Sequence, residues 1–350
     1  MVASFPVNAW YAAAWDADIG RKLFSRQICG KKMVFYRKLN GEVVALHDAC
    51  WHRLLPLSLG KLDGDTVICG YHGLAFEPGG KCTYMPSQET INPSACVHSY
   101  PIVERHRLIW VWPGDPALAD PNKVPDLHWQ NDPDWVGDGD TIKFQCNYRL
   151  ILDNLMDLTH ETFVHANFLG QAEVAEVPFR VEHDGQTATV TRWMIGVEPA
   201  PYWKKKLGRD GLVDRWQIIR FQGPNTVAID GGVALTGTGA PEGDRREGVN
   251  NIVCNTITPE SERSSFYFWS FPRNYKLKDQ RETIEQKNDV IFVFKQDELV
   301  LNAQQIAMDE NPDKEFYNLN IDAGAMWARR IIDRMIAAEA PSNTFSTAAE

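Results

Sequence analysis

The sequence predicts a two-domain α+β chain: an all-β domain in front, then an antiparallel sheet with helices. Three observations lead there. The chain has 350 residues, about two domains at ~150 residues each. Its front third reads as short strands broken by turn residues, the pattern of a small all-β domain. Behind it, runs of strands are bracketed by helical stretches, the pattern of an α+β domain. The expected boundaries are 1–112 for the front domain, 113–136 for a linker or wrap, and 137–350 for the rear domain.

In the front domain, Lys32–Tyr36 and Val43–Leu46 flank Asn40-Gly41, a strong hairpin signal. Leu108–Trp112 forms a further strand that ends at Pro113-Gly114. From Pro113 to Trp135 the chain carries five prolines and five aspartates with little apolar periodicity, so it reads as an extended wrap. Asn147–His165 reads as one helix. Strands are expected at Thr187–Trp193, Trp216–Phe221, Thr226–Leu235, Ile252–Thr258 and Ser265–Phe271. Glu282 to about Asp309 reads as a long helix and Gly324–Glu339 as the last one. The small polar tail Ala340–Glu350 is expected to fray.

Hydrophobic residues make up 44% and charged residues 23%, which excludes a mostly disordered or fibrous chain. The net charge of −10 argues against non-specific nucleic-acid binding and against an anionic membrane surface as partner. No stretch reaches the ~18 apolar residues of a spanning helix. The N-terminus lacks a basic segment followed by an apolar one, so a cytoplasmic address is expected. Seven cysteines, an odd number, point to metal or structural use rather than a disulfide framework. Cys29, Cys82, Cys96, Cys146 and Cys254 have no paired spacing and read as small buried hydrophobes.

Cys50-Trp51-His52 is followed after sixteen residues by Cys69-Gly70-Tyr71-His72. Four such ligands could hold zinc, or a [2Fe–2S] cluster with two cysteines on one iron and two histidines on the other. Zinc fingers usually keep Cys with Cys and His with His. Here each pair is mixed, which suits a cluster whose irons are ligated differently. Pro56 and Gly60 shape the first loop; Gly70, Gly73, Gly79 and Gly80 surround the second and allow close backbone approach.

The second constellation lies in Asn147–His165. Asn154, Asp157 and His160 recur every third residue and share one face of a regular helix. His160 and His165 would stand ~140° apart on such a helix, so it must bulge or end for both to reach one ion. Two histidines need a carboxylate to complete a 2-His-1-carboxylate iron site. Asp289, Asp297 and Glu298 are the candidates. Asp297 has the apolar neighbours Val293, Phe294, Val300 and Leu301, although periodicity leaves Gln296 equally buried. Asp230 and Asn255 interrupt apolar strands and are candidate substrate contacts.

Both constellations, with Asn8–Tyr11, Arg26–Gly30 and Leu319–Gly324, resemble the Rieske non-haem iron oxygenases over essentially the whole chain. Trp51 stands where that family usually has proline. The resemblance is strongest to the homo-oligomeric branch acting on methoxyarenes such as vanillate and on the methyl group of toluenesulfonate. It implies a Rieske [2Fe–2S] domain, a helix-grip catalytic domain, one [2Fe–2S] cluster and one Fe(II) per chain, and a head-to-tail homotrimer. It selects Asp297 as the third iron ligand. It makes Asp157 a bridge between His72 of one subunit and His160 of the next, and Asn154 a polar residue beside the iron. It further implies O2 and a small aromatic as substrates, and an NADH-dependent flavin/iron–sulfur reductase as partner. The alternatives are a ring-hydroxylating dioxygenase α subunit and a non-catalytic Rieske electron carrier.

Overall fold

The computed structural model describes residues 4–340; the tail beyond Ala340 lies outside them. The front domain consists of three small antiparallel sheets. Lys31–Arg37 pairs with Val43–His47 through a turn closed by Gly41 N–H donating to Lys38 O at 3.0 Å, with Gly41 at φ 91°, a left-handed position that glycine takes without strain. Tyr11–Trp15 pairs with Leu108–Val111, which pairs in turn with Ile102–Arg105. The four-stranded sheet Lys61–Asp63, Thr66–Ile68, Ala75–Phe76 and Cys82–Tyr84 carries the second Cys-His loop between its second and third strands.

The Pro-rich segment wraps without strands, as three 3₁₀ turns at Pro116–Leu118, Pro121–Lys123 and His128–Gln130. Asp115 and Asp120 cap the first two through their carboxylates, and each is followed by a proline suited to the first helical position.

The rear domain holds a seven-stranded antiparallel sheet. Its order is Gly139–Phe144, Ser264–Ser270, Val249–Ser261, Thr226–Leu235, Val213–Gln222, Thr187–Val197 and Phe179–His183. Six of these strands form a meander, and Gly139–Phe144 closes one edge beside the last of them. The two edge strands escaped the sequence reading, because both are short, polar and weakly alternating.

Helices Tyr148–Met156, Gln280–Glu310 and Ala323–Glu339 cover one face of the sheet. The core there is built from Leu150, Ile151 and Leu155 against Ile219, Ile229, Phe294 and Ile332. Asp153 ties the first helix to the last through Arg329, with Nε donating to Oδ1 at 2.9 Å.

The two halves share a core rather than merely touching. Trp10, Ala12 and Trp110 of the front pack with Ile252, Cys254 and Phe268 of the sheet. Thr258 Oγ1 donates to the Ala12 carbonyl at 2.7 Å, and Asn225 Nδ2 to that of Trp10 at 3.0 Å. Among the described residues no helix is long and apolar enough to cross a membrane.

Candidate metal centres and cavity

The two Cys-His loops share one backbone design despite their different spacings. In the first, Cys50 N–H donates to Leu55 O and Leu54 N–H to Cys50 O. In the second, Cys69 N–H donates to Leu74 O and Gly73 N–H to Cys69 O. The fourth residue after each cysteine therefore turns left-handed: Gly73 at φ 76° and Leu54 at φ 59°. For Leu54 this conformation is strained, and no local residue pattern marks it. The loops also meet closely. A Cβ on Gly60 would lie 2.1 Å from Ile68 O, and one on Gly70 2.7 Å from Leu59 O.

Cys50 and Cys69 are buried, whereas His52 and His72 are exposed with ring centroids 4.6 Å apart. Burial pushes the Cys50 thiol up to about 11, so a thiolate there needs a metal cation to neutralise it. Two buried thiols beside two surface imidazoles fit a histidine-ligated cluster.

The expected continuous helix Asn147–His165 is broken. Asn147 caps its start, accepting from Arg149 N–H at 2.9 Å, but the helix ends at Met156. Asp157 is extended, at φ −129° and ψ 103°. Its Oδ1 accepts from Thr159 N–H at 2.9 Å and starts a 3₁₀ turn at Leu158–His160. A short helix Glu161–Val164 follows and stops at His165. Aspartate caps helices better than it continues them, and this break frees the two imidazoles from regular helical spacing.

His160, His165 and Asp297 offer ligand atoms that all lie within 4.8 Å of one another. The two Nε2 atoms stand 3.5 and 3.2 Å from Asp297 Oδ1. The donor chemistry fits a metal. His160 Nδ1 is 2.7 Å from the Asp157 carbonyl, which only accepts, so Nδ1 carries the proton and Nε2 is free to bind. His165 Nδ1 meets Gln296 Oε1 at 2.7 Å with the same result. Asn154 Nδ2 steadies Asp297 Oδ1 at 3.3 Å. Burial disfavours a charged His165, but where a proton rather than a metal sits between them, Asp297 and Gln296 outweigh burial and raise its pKa.

The other carboxylates stand apart from this trio. Asp289 pairs with the buried Lys206 at 3.7 Å, and Glu298 is half-buried on the long helix. Gln296, which periodicity left as buried as Asp297, is half-buried and serves instead as the acceptor for His165.

A cavity with about 790 Å³ of empty space, its mouth included, opens beside the trio. Its walls are largely apolar, with Leu155, Phe168, Trp203, Ile229, Val293 and Phe294 among them. Neither Asp230 nor Asn255 lines it, contrary to expectation. Ile229 and Gly231 face the cavity, so strand alternation turns Asp230 to the opposite side. There it accepts from Trp216 Nε1 and Arg245 Nη1, both at 2.9 Å. Asn255 is fully buried between Val227 O and the Tyr267 hydroxyl.

The polar wall comes from residues the sequence reading passed over. Arg215 Nη2 and Gln217 Nε2 both donate to Glu161 Oε2, at 2.7 and 2.9 Å. Behind this wall, and not itself lining the cavity, Arg192 Nη1 donates to Gln217 Oε1 at 3.1 Å. All four side chains are buried. Polarity inside an apolar run, the signal that marks Asp230 and Asn255, does not mark Arg215 and Gln217, because their strand Val213–Gln222 alternates with other polar residues such as Asp214 and Arg220.

Comparison with known proteins agrees with this geometry. Residues 9–101 match the Rieske [2Fe-2S] domain, and residues 144–338 match the vanillate O-demethylase oxygenase C-terminal domain. The chain is 43% identical to the vanillate O-demethylase oxygenase subunit of Pseudomonas sp. strain HR199, covering 96% of each. It is 39% identical to the toluene-4-sulfonate monooxygenase system iron-sulfur subunit of Comamonas testosteroni, covering 95% of this chain and 97% of that one. The crystal structure of dicamba monooxygenase bound to 3,6-dichlorosalicylic acid superimposes with a TM-score of 0.89 at 32% identity, covering 97% of this chain and all of that one. The chain belongs to the Rieske non-haem iron monooxygenases, in the family of vanillate O-demethylase oxygenase components.

Proposed function

We propose that this oxygenase component hydroxylates the methyl carbon of a methoxy group on a small aromatic acid such as vanillate. The product hemiacetal then collapses to a phenol and formaldehyde. One methoxyarene, O2, NADH and a proton give one phenol, formaldehyde, NAD+ and water, with an NADH-dependent flavin/iron–sulfur reductase as the electron donor. The observation that carries this reading is the His160, His165 and Asp297 trio, with both Nε2 atoms free, at the wall of an apolar cavity.

In this reading Cys50, His52, Cys69 and His72 hold the [2Fe–2S] cluster, and His160, His165 and Asp297 hold Fe(II). When bound, the cluster supplies single electrons and the iron supplies oxygen activation. The chain's own residues do the rest. The Asp157 carbonyl and Gln296 fix the imidazole tautomers, Asn154 orients the carboxylate, and the apolar wall orients the aromatic ring and limits water. A phenol lacks the attacked methyl group, so the product fits the site differently from the substrate.

The assembly we infer is a head-to-tail homotrimer, in which Asp157 of one copy faces the cluster histidine His72 of the next. Exposed apolar side chains near both sites support it. Trp51, Leu54 and Tyr71 surround the cluster loops, and Phe163, Phe292 and Leu299 lie on the segments that carry the trio. Exposed apolar surface of this kind marks association.

The test is incubation with NADH, a reductase and a panel of methoxy- and methyl-arenes that includes vanillate and toluenesulfonate, scoring formaldehyde and O2 uptake. Formaldehyde in step with O2 is expected from a methoxybenzoate. A cis-diol, or no turnover of any methoxyarene, would refute the proposal.

A further inference from the structure

Glu161 is a carboxylate placed where an apolar cavity would not ordinarily have one. It follows the metal-site residue His160 directly, lines the cavity, and is 8% exposed. One of its oxygens is fully engaged: Oε2 accepts from Arg215 at 2.7 Å and from Gln217 at 2.9 Å. These two donors fix the orientation of the carboxylate. Oε1 accepts from no donor among the described residues and is not sealed off by its neighbours, so it stands open where Glu161 lines the cavity.

A substrate group can supply the missing donor. We propose that Glu161 Oε1 accepts a hydrogen bond from a hydroxyl on the aromatic ring of the substrate, so that the cavity selects methoxyphenols over methoxyarenes that lack a hydroxyl. This rests on the demethylase reading and narrows its substrate class. A site built to hydrogen-bond a substrate hydroxyl rejects the analogue without it, because its own polar atom is then left unpaired.

The isosteric variant makes the idea sharp. Arg215 and the Gln217 amide N–H₂ can only donate at Oε2, so in Glu161→Gln the amide oxygen must take that place. The amide N–H₂ then occupies the position of Oε1, and an acceptor becomes a donor without a change of shape.

The experiment measures anaerobic dissociation constants by calorimetry on cluster- and iron-loaded protein, for 4-hydroxy-3-methoxybenzoate, 3-methoxybenzoate and 3,4-dimethoxybenzoate. The wild-type chain should bind the hydroxylated compound about ten- to a hundredfold more tightly than 3-methoxybenzoate. In Glu161→Gln that ratio should fall to within about threefold, and the dimethoxy compound, which offers only an acceptor, should bind at least as well as the phenol. A wild-type ratio near one overturns the assignment and needs no variant to do so. A ratio left intact in Glu161→Gln also overturns it. Equal affinities with formaldehyde from both monomethoxy compounds sink this inference alone, whereas no binding and no formaldehyde from either sinks the demethylase reading with it.

Discussion

Replacing Gln296 with leucine tests how the protein prepares its iron site. Gln296 Oε1 stands 2.7 Å from Nδ1 of His165, which is 2% exposed. Leucine keeps the volume close and removes the acceptor, leaving a buried imidazole N–H unpaired. That costs ~1–3 kcal/mol, or about five- to 150-fold in an equilibrium constant at ~1.4 kcal/mol per decade. Losing such an outer partner of a ligating histidine costs about ten- to a hundredfold in metal affinity, so the two estimates agree. His160 is unaffected, because its Nδ1 partner is the Asp157 main-chain carbonyl. The assay is anaerobic Fe(II) binding against a competing chelator, with the visible absorption of the cluster as the folding control. Gln296→Leu should bind Fe(II) about ten- to a hundredfold more weakly with the cluster spectrum intact, and Gln296→Glu should bind at least as tightly as wild type. Affinity for Gln296→Leu within about twofold of wild type would show that Gln296 does not prepare His165 for the metal.

Three further outcomes follow from the same geometry. The pKa of His165 is raised above the ordinary 6.5 by Asp297 and Gln296 despite burial; below that raised value a proton occupies Nε2. Apparent Fe(II) affinity should therefore fall by up to about tenfold per pH unit as the pH drops from above 6.5, and a flat titration would contradict this. Gly60→Ala places a Cβ 2.1 Å from Ile68 O, whereas at Gly79 the nearest atom is a Glu77 side-chain oxygen at 3.8 Å. The first should lower stability by ~1–3 kcal/mol or more in a thermal melt and bleach the cluster early, while Gly79→Ala should be near neutral. Asp157→Asn keeps the cap on Thr159 N–H but removes the charge, so both metals should stay bound while steady-state turnover drops about tenfold or more; full turnover would exclude Asp157 from coupling the two sites.

How much of this was legible in the sequence depends on the range of the interaction. The paired Cys-His spacing is local, and the two loops are local structures closed by their own backbone hydrogen bonds. Thr226–Leu235 is a long apolar run flanked by turns, and it is a strand with those bounds. The break at Asp157 was within reach, since aspartate caps more readily than it continues a helix, but the apolar periodicity on both sides concealed it. Asp297 was legible as one carboxylate among apolar neighbours. The role of Gln296 was not, because its partner lies 131 residues away. The Glu161, Arg215 and Gln217 wall joins residues 54 and 56 apart, and no periodicity reports such pairings. Asp230 misled because polarity inside an apolar strand says that a residue has a partner, not which face of the sheet holds it.

Every outcome above requires one chain to carry two separate iron centres. Iron per chain in fully loaded protein, for wild type and for His165→Ala, decides whether it does. Wild type should hold about three irons and the variant about two, with the reduced cluster's rhombic paramagnetic resonance signal unchanged. About two irons in both proteins, or loss of the cluster signal in the variant, would contradict it.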